Sequence, residues 1–141
     1  MARTVTIEWP DFKTTVPLSL LDDQSPRLCE ALWNSLPFET KFVASMSGGQ
    51  MFKVPLPLCL PDDPSAKRVL FPDQPPGSVV AVGTILLVKF GAVIEPFRVP
   101  LIGVISDAGL SRLAEVQDKL FEDYWVTKAI HRAVFSKAAE K

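Results

Sequence analysis

Apolar and polar positions alternate at the start of the chain. Val5, Ile7 and Trp9 fall between Thr4, Thr6 and Glu8, which is the period of a half-buried strand. Pro10-Asp11 supplies a turn, and residues 13–18 offer the returning strand of a hairpin. The period then changes: Leu28, Leu32 and Leu36 recur every four residues, and Ala31 and Trp33 broaden the stripe. Ser25-Pro26 starts this helix, the serine as cap and the proline at the first helical position, and Pro37 ends it. Phe38, Thr40, Phe42 and Ala44 restore the alternation, and Ser47-Gly48-Gly49 turns the chain into a strand over residues 50–56.

From 55 to 76 the chain is dense in proline and aspartate. Pro61-Asp62-Asp63-Pro64 and Pro72-Asp73-Gln74-Pro75-Pro76 cannot lie inside a sheet, because each proline removes a ladder donor. These residues predict a solvated surface excursion with at most a short strand near 68–71. Residues 78–90 read as an apolar strand broken near Gly83 by a bulge or corner, 91–97 as a turn region and 99–105 as a further strand.

Asp107 then caps a helix whose apolar face is Leu110, Leu113, Val116 and Leu120. Val126, Ile130 and Val134 keep a four-residue spacing that predicts helix over 124–139, with Lys128, Arg132 and Lys137 toward its end. Such a helix is too apolar for a free tail. It packs on its own barrel or on a partner chain, which predicts a homodimer or higher homo-oligomer. The resulting expectation is a mainly β (α+β) domain over 1–121, with a helix after the first hairpin that plugs or lids a barrel. Residues 122–141 form a helical extension, part of the same domain or its oligomer interface.

Composition narrows the partners. The apolar share is 48% and the mean hydropathy is +0.21, which excludes a disordered chain. The net charge of −1, with both signs interspersed, lacks the basic stripe of a nucleic-acid binder. No apolar run reaches the roughly 18 residues of a membrane-spanning helix, and the first residues read as a strand, not a signal peptide. A cytoplasmic protein is expected, with no membrane or nucleic-acid partner. Cys29 and Cys59 read as two buried free thiols, with a disulfide the lesser reading, and a single histidine, His131, excludes a histidine-based metal cluster; no metal or cofactor is expected.

An ordered set of motifs carries a resemblance. Leu32-Trp33-Asn34-Ser35-Leu36-Pro37-Phe38-Glu39, then Ala44-Ser45-Met46-Ser47-Gly48, Pro75-Pro76-Gly77, Phe90-Gly91 and Val99-Pro100-Leu101-Ile102-Gly103-Val104-Ile105 resemble small bacterial proteins with a cyclophilin-like barrel. The resemblance spans about residues 3–121 and implies the fold. A related barrel occurs in cucumopine synthase, an opine-forming enzyme that condenses an amino acid with a keto acid and carries extra C-terminal helices. Prolyl isomerisation is not implied: the only string similar to the catalytic motif of cyclophilins, Ile130-His131-Arg132, lies outside the barrel pattern.

Few residues are candidates for chemistry. Glu39, just after the helix break, can act as general base or hold an amine; the plainer reading is a solvated strand residue or an ion-pair partner, as for Glu8. Arg27 and Arg98 stand at element ends, where a guanidinium can grip a carboxylate. Ser45 and Ser47 precede a glycine pair whose amides could bind an anion, or simply make a turn. Trp33, Phe38, Phe52 and Phe90 read first as core, with Phe38 and Phe90 also candidates to line a pocket. Two function classes follow. One is a metal-independent acid–base enzyme acting on an amide, cyclic imide or amino-acid- or keto-acid-derived metabolite. The other is a non-catalytic ligand-binding or assembly module.

Overall fold

A computed structural model describes residues 3–45 and 48–139. Ser47 therefore lies outside the described residues. β1 (Thr4–Trp9) and β2 (Thr14–Leu20) form the N-terminal hairpin through a 3-10 turn at Pro10–Phe12, and α1 spans Pro26–Ser35. β3 (Phe38–Lys41), β4 (Val43–Ala44) and β5 (Gly49–Pro55) follow, then the short β6 (Arg68–Leu70) within the proline-rich excursion. β7 (Ser78–Val82), β8 (Ile85–Val93) and β9 (Arg98–Ile105) lead to α2 (Asp107–Trp125) and β10 (Arg132–Lys137).

The strands make one antiparallel sheet in the order β3-β10-β1-β2-β9-β7-β8-β5-β4, with β6 attached to β9. Its two ends, β3 and β4, are consecutive in the chain and separated only by Phe42, so the sheet curls into a nearly closed barrel. The interior is solid. Val5, Ile7 and Trp9 from β1, Val16 and Leu18 from β2, Phe52 and Val54 from β5, and Phe135 from β10 meet Leu28, Cys29 and Leu32 of α1 and Leu113, Val116 and Leu120 of α2. Trp9 stands edge-on to Phe42 at 4.7 Å, and Phe38 stacks on Phe135 at 5.0 Å. A second apolar layer, Met51, Phe71, Val80, Leu87 and Val99, packs outside the sheet beneath the excursion. Both faces of β7 and β8 are covered, which explains why 78–90 read as a continuous apolar run.

Three expectations are corrected. Residues 124–139 are not a helix: α2 ends at Trp125, and β10 inserts between β1 and β3, pairing Ile7 with Phe135 and Phe38 with Phe135. A four-residue spacing returns to the same side of both a helix and a strand, so Ile130 and Val134 could not tell them apart. The alternation of buried Ala133 and Phe135 with Arg132 and Val134 decides it. Second, Ser25 does not cap α1; its buried hydroxyl donates to the Leu101 carbonyl at 2.8 Å. Asp63 does the capping, its Oδ2 accepting from the Arg27 amide at 2.9 Å and the Leu28 amide at 3.3 Å. Asp63 is thus buried, not a solvated loop residue. Third, Asp107 is the first residue of α2 and Ser106 the cap position.

Other expectations match in outline. Gly83 sits at the β7–β8 turn, β6 falls within 68–71, and β8 runs on to Val93 through part of the expected turn region.

Candidate functional site

The excursion and the sheet enclose an open pocket of about 470 Å³, within the range of small-molecule sites. Leu28, Ala81, Val82, Val99 and Pro100 give it apolar walls, and Asp62, Arg68 and Arg98 line it with charge. The two arginines come together through the β6–β9 register. Arg68 opposes Pro100 and Leu70 opposes Arg98, so the arginines are diagonal neighbours on one face. Neither has an ion-pair partner among the described residues. Asp63 fixes this corner. Burial opposes its charge, but hydrogen bonds from Ser65 and from the Leu28 and Arg27 amides outweigh burial and hold its carboxyl below the ordinary Asp value. Two guanidiniums over an apolar wall can hold a carboxylate or phosphate, and Asp62 is placed to meet an amine.

Of the described residues expected to bind a ligand, only Arg98 lines this pocket, and its companion Arg68 was missed. Arg27 donates to the Asp62 carbonyl at 3.4 Å and lines a neighbouring depression with Glu30 and Asn34. Phe38 and Phe90 are packing residues, against Phe135 and Phe52. The Ser45 amide donates to the Met51 carbonyl at 3.1 Å, tying the segment after β4 back to β5. The Arg3 guanidinium and the Lys137 ammonium lie 5.3 Å and 4.9 Å from the centre of the Trp33 ring. Both cysteines are free; Cys29 is buried as expected, which pushes its thiol up to about 12, but Cys59, expected buried, is exposed in the proline-rich excursion. No group of three metal-ligating side chains occurs among the described residues.

Glu39 lines a separate depression of about 340 Å³ with Asp11, Lys41, Ile130 and Arg132. Its carboxylate accepts from Arg132 at 3.4 Å, both side chains being about half exposed. Beside it, His131 Nδ1 contacts Asp11 at 2.9 Å and Nε2 contacts Asp123. Ionised carboxylates only accept, so these two contacts favour the imidazolium, the form in which both ring nitrogens donate. Burial alone would lower its pKa, but the bonds to Asp11 and Asp123 more than offset this and raise it above the ordinary 6.5. A raised folded value stabilises the fold below the unfolded value, and that contribution is lost as pH rises through the folded one. Urea midpoints should therefore fall between about pH 6 and pH 9 more in the wild type than in His131→Gln. An identical pH profile in the variant would contradict the clamp.

Fold and pocket together define a mainly β, barrel-like domain with an arginine-lined depression. No protein-family model matches the sequence, and no curated protein matches it. Among solved structures, the chain is similar to McbB in complex with tryptophan. The TM-score is 0.84 at 22% identity, over 97% of this chain and 45% of that one. The chain thus spans less than half the length of that protein, and the likeness shows a shared fold. No helix among the described residues is long and apolar enough to cross a membrane.

Proposed function

We propose that this domain binds a small carboxylate-bearing metabolite of the amino-acid or keto-acid class in the Arg68–Arg98 pocket. The observation that carries the reading is the convergence of two arginines without ion-pair partners, among the described residues, on one apolar-walled pocket. The carboxylate pairs with the guanidiniums, the amine of an amino acid meets Asp62, and an apolar side chain lies along Val82 and Val99. The tryptophan held by the similar structure fits that description of a ligand. The order of elements also fits the cyclophilin-like barrel that the sequence resembles. The pairing of β10 with β1 and β3 supports reading residues 122–141 as part of the same domain.

Calorimetric titration with tryptophan, other amino acids and 2-keto acids tests this. Arg68→Ala and Arg98→Ala should each weaken binding by about tenfold and the double variant by about a hundredfold, since a charge-assisted bond contributes about 1.5–3 kcal/mol. Binding that survives the double variant, or a wild type that binds no carboxylate, would overturn it. A second reading, acid–base catalysis with Glu39 as base, rests on the Glu39–Arg132 pair at the neighbouring depression. Full turnover by Glu39→Gln on any substrate found would end that reading.

A further inference from the structure

The outer side of α2 carries an apolar patch that no element among the described residues covers. Gly109, Leu113, Val116 and Leu120 are the buried face of the helix. Phe121, Tyr124 and Trp125 remain 43%, 43% and 50% exposed, and Val126 and Ile130, just beyond the helix, 72% and 60%. The three rings lean on one another, Phe121 and Trp125 at 6.3 Å and Tyr124 and Trp125 at 5.5 Å between centroids. The Lys128 ammonium lies over the Trp125 ring at 5.4 Å. Together these side chains expose on the order of 500 Å² in one stretch, at the upper end of what a soluble monomer leaves uncovered. That is more than half of the ~800 Å² each partner contributes to a stable interface.

Charge selects the occupant. α2 carries five acidic residues against two basic ones, so an anionic bilayer surface is repelled, whereas surface-bound helices are rich in Lys and Arg. Asp118 and Glu122 are exposed and share a helix side with Trp125, by spacings of seven and three residues, and Lys128 lies just past it. The patch is therefore acidic at one end, aromatic at its centre and basic at the other. That order is self-complementary under a two-fold axis.

We propose that this face receives a second copy of the same chain across a two-fold axis at Trp125, the last turn of α2 in each copy against residues 126–130 of the other, with Lys128 of each copy against Glu122 of its partner. Sedimentation of the full chain between about 1 and 200 μM tests it. The wild type is expected to be a dimer at the upper concentrations. Trp125→Glu and Val126→Glu should each raise the dissociation constant at least about a hundredfold, with an unchanged circular dichroism spectrum and thermal midpoint. Lys128→Glu and Glu122→Lys should each weaken self-association, and mixing the two should restore a heterodimer in which both pairs are again opposite in charge. The inference falls if the wild type is monomeric at 200 μM, or if Trp125→Glu and Val126→Glu leave the dimer intact. It also falls if the charge-reversed chains do not re-pair, or if the wild type pellets with phosphatidylserine vesicles instead of self-associating.

Discussion

Phe135→Ala should lower the stability of the domain by about 3–5 kcal/mol, read as a fall in the urea midpoint at constant slope. The side chain is fully buried, stacked on Phe38 at 5.0 Å and 6.0 Å from Phe42, in a strand with partners on both sides. Truncation to alanine removes those ring contacts and opens a cavity among the buried side chains that Phe135 fills between β1 and β3. Ile94→Ala is the control, since that residue is 78% exposed and its loss should change stability by no more than about 0.5 kcal/mol. A Phe135→Ala chain as stable as Ile94→Ala would mean that β10 does not complete the barrel.

Gly77→Ala should cost at least about 3 kcal/mol, for a different reason. Gly77 has φ +99°, and a Cβ there would sit well inside van der Waals contact distance of the Ile105 carbonyl oxygen. Gly77 is held against it, because the Gly77 amide donates to the Lys89 carbonyl at 2.7 Å and the Gly77 carbonyl accepts from the Ile105 amide at 2.8 Å. Relieving the clash means breaking ladder bonds on both sides of the residue. Gly83 separates strain from clash: its φ is +60° but nothing lies within 4 Å of an added Cβ, so Gly83→Ala should cost only about 1–2 kcal/mol. Equal midpoints for the two variants would remove the steric part of the argument.

Much of the barrel was legible because its strands and first helix have distinct periods. Val5, Ile7 and Trp9 could only be a strand, and Leu28 and Leu32 only a helix face once Pro26 and Pro37 bounded them. The last strand was illegible because Ile130 and Val134 satisfy both periods, and what decides between them is the space that β1 and β3 leave for Phe135. The pocket was half legible. Arg98 stood out at an element end, but Arg68 lies 30 residues earlier, and only the β6–β9 register makes them neighbours. Asp63 was hidden likewise: a cap supplied from 35 residues away leaves no local signature, whereas Ser25 carries the expected signature and uses its hydroxyl elsewhere.

The place of β10 has a consequence for biosynthesis. Domains generally fold as units as they emerge from the ribosome. Here β10, the last strand among the described residues, belongs in the interior of the sheet, between two strands made about a hundred residues earlier. Until residue 137 has cleared the exit tunnel, β1 and β3 present facing rows of unpaired backbone groups and Phe38 lacks its stacking partner. The nascent chain is therefore committed to a long wait with a sticky seam open, and its yield in the cell should depend on whatever shields that seam.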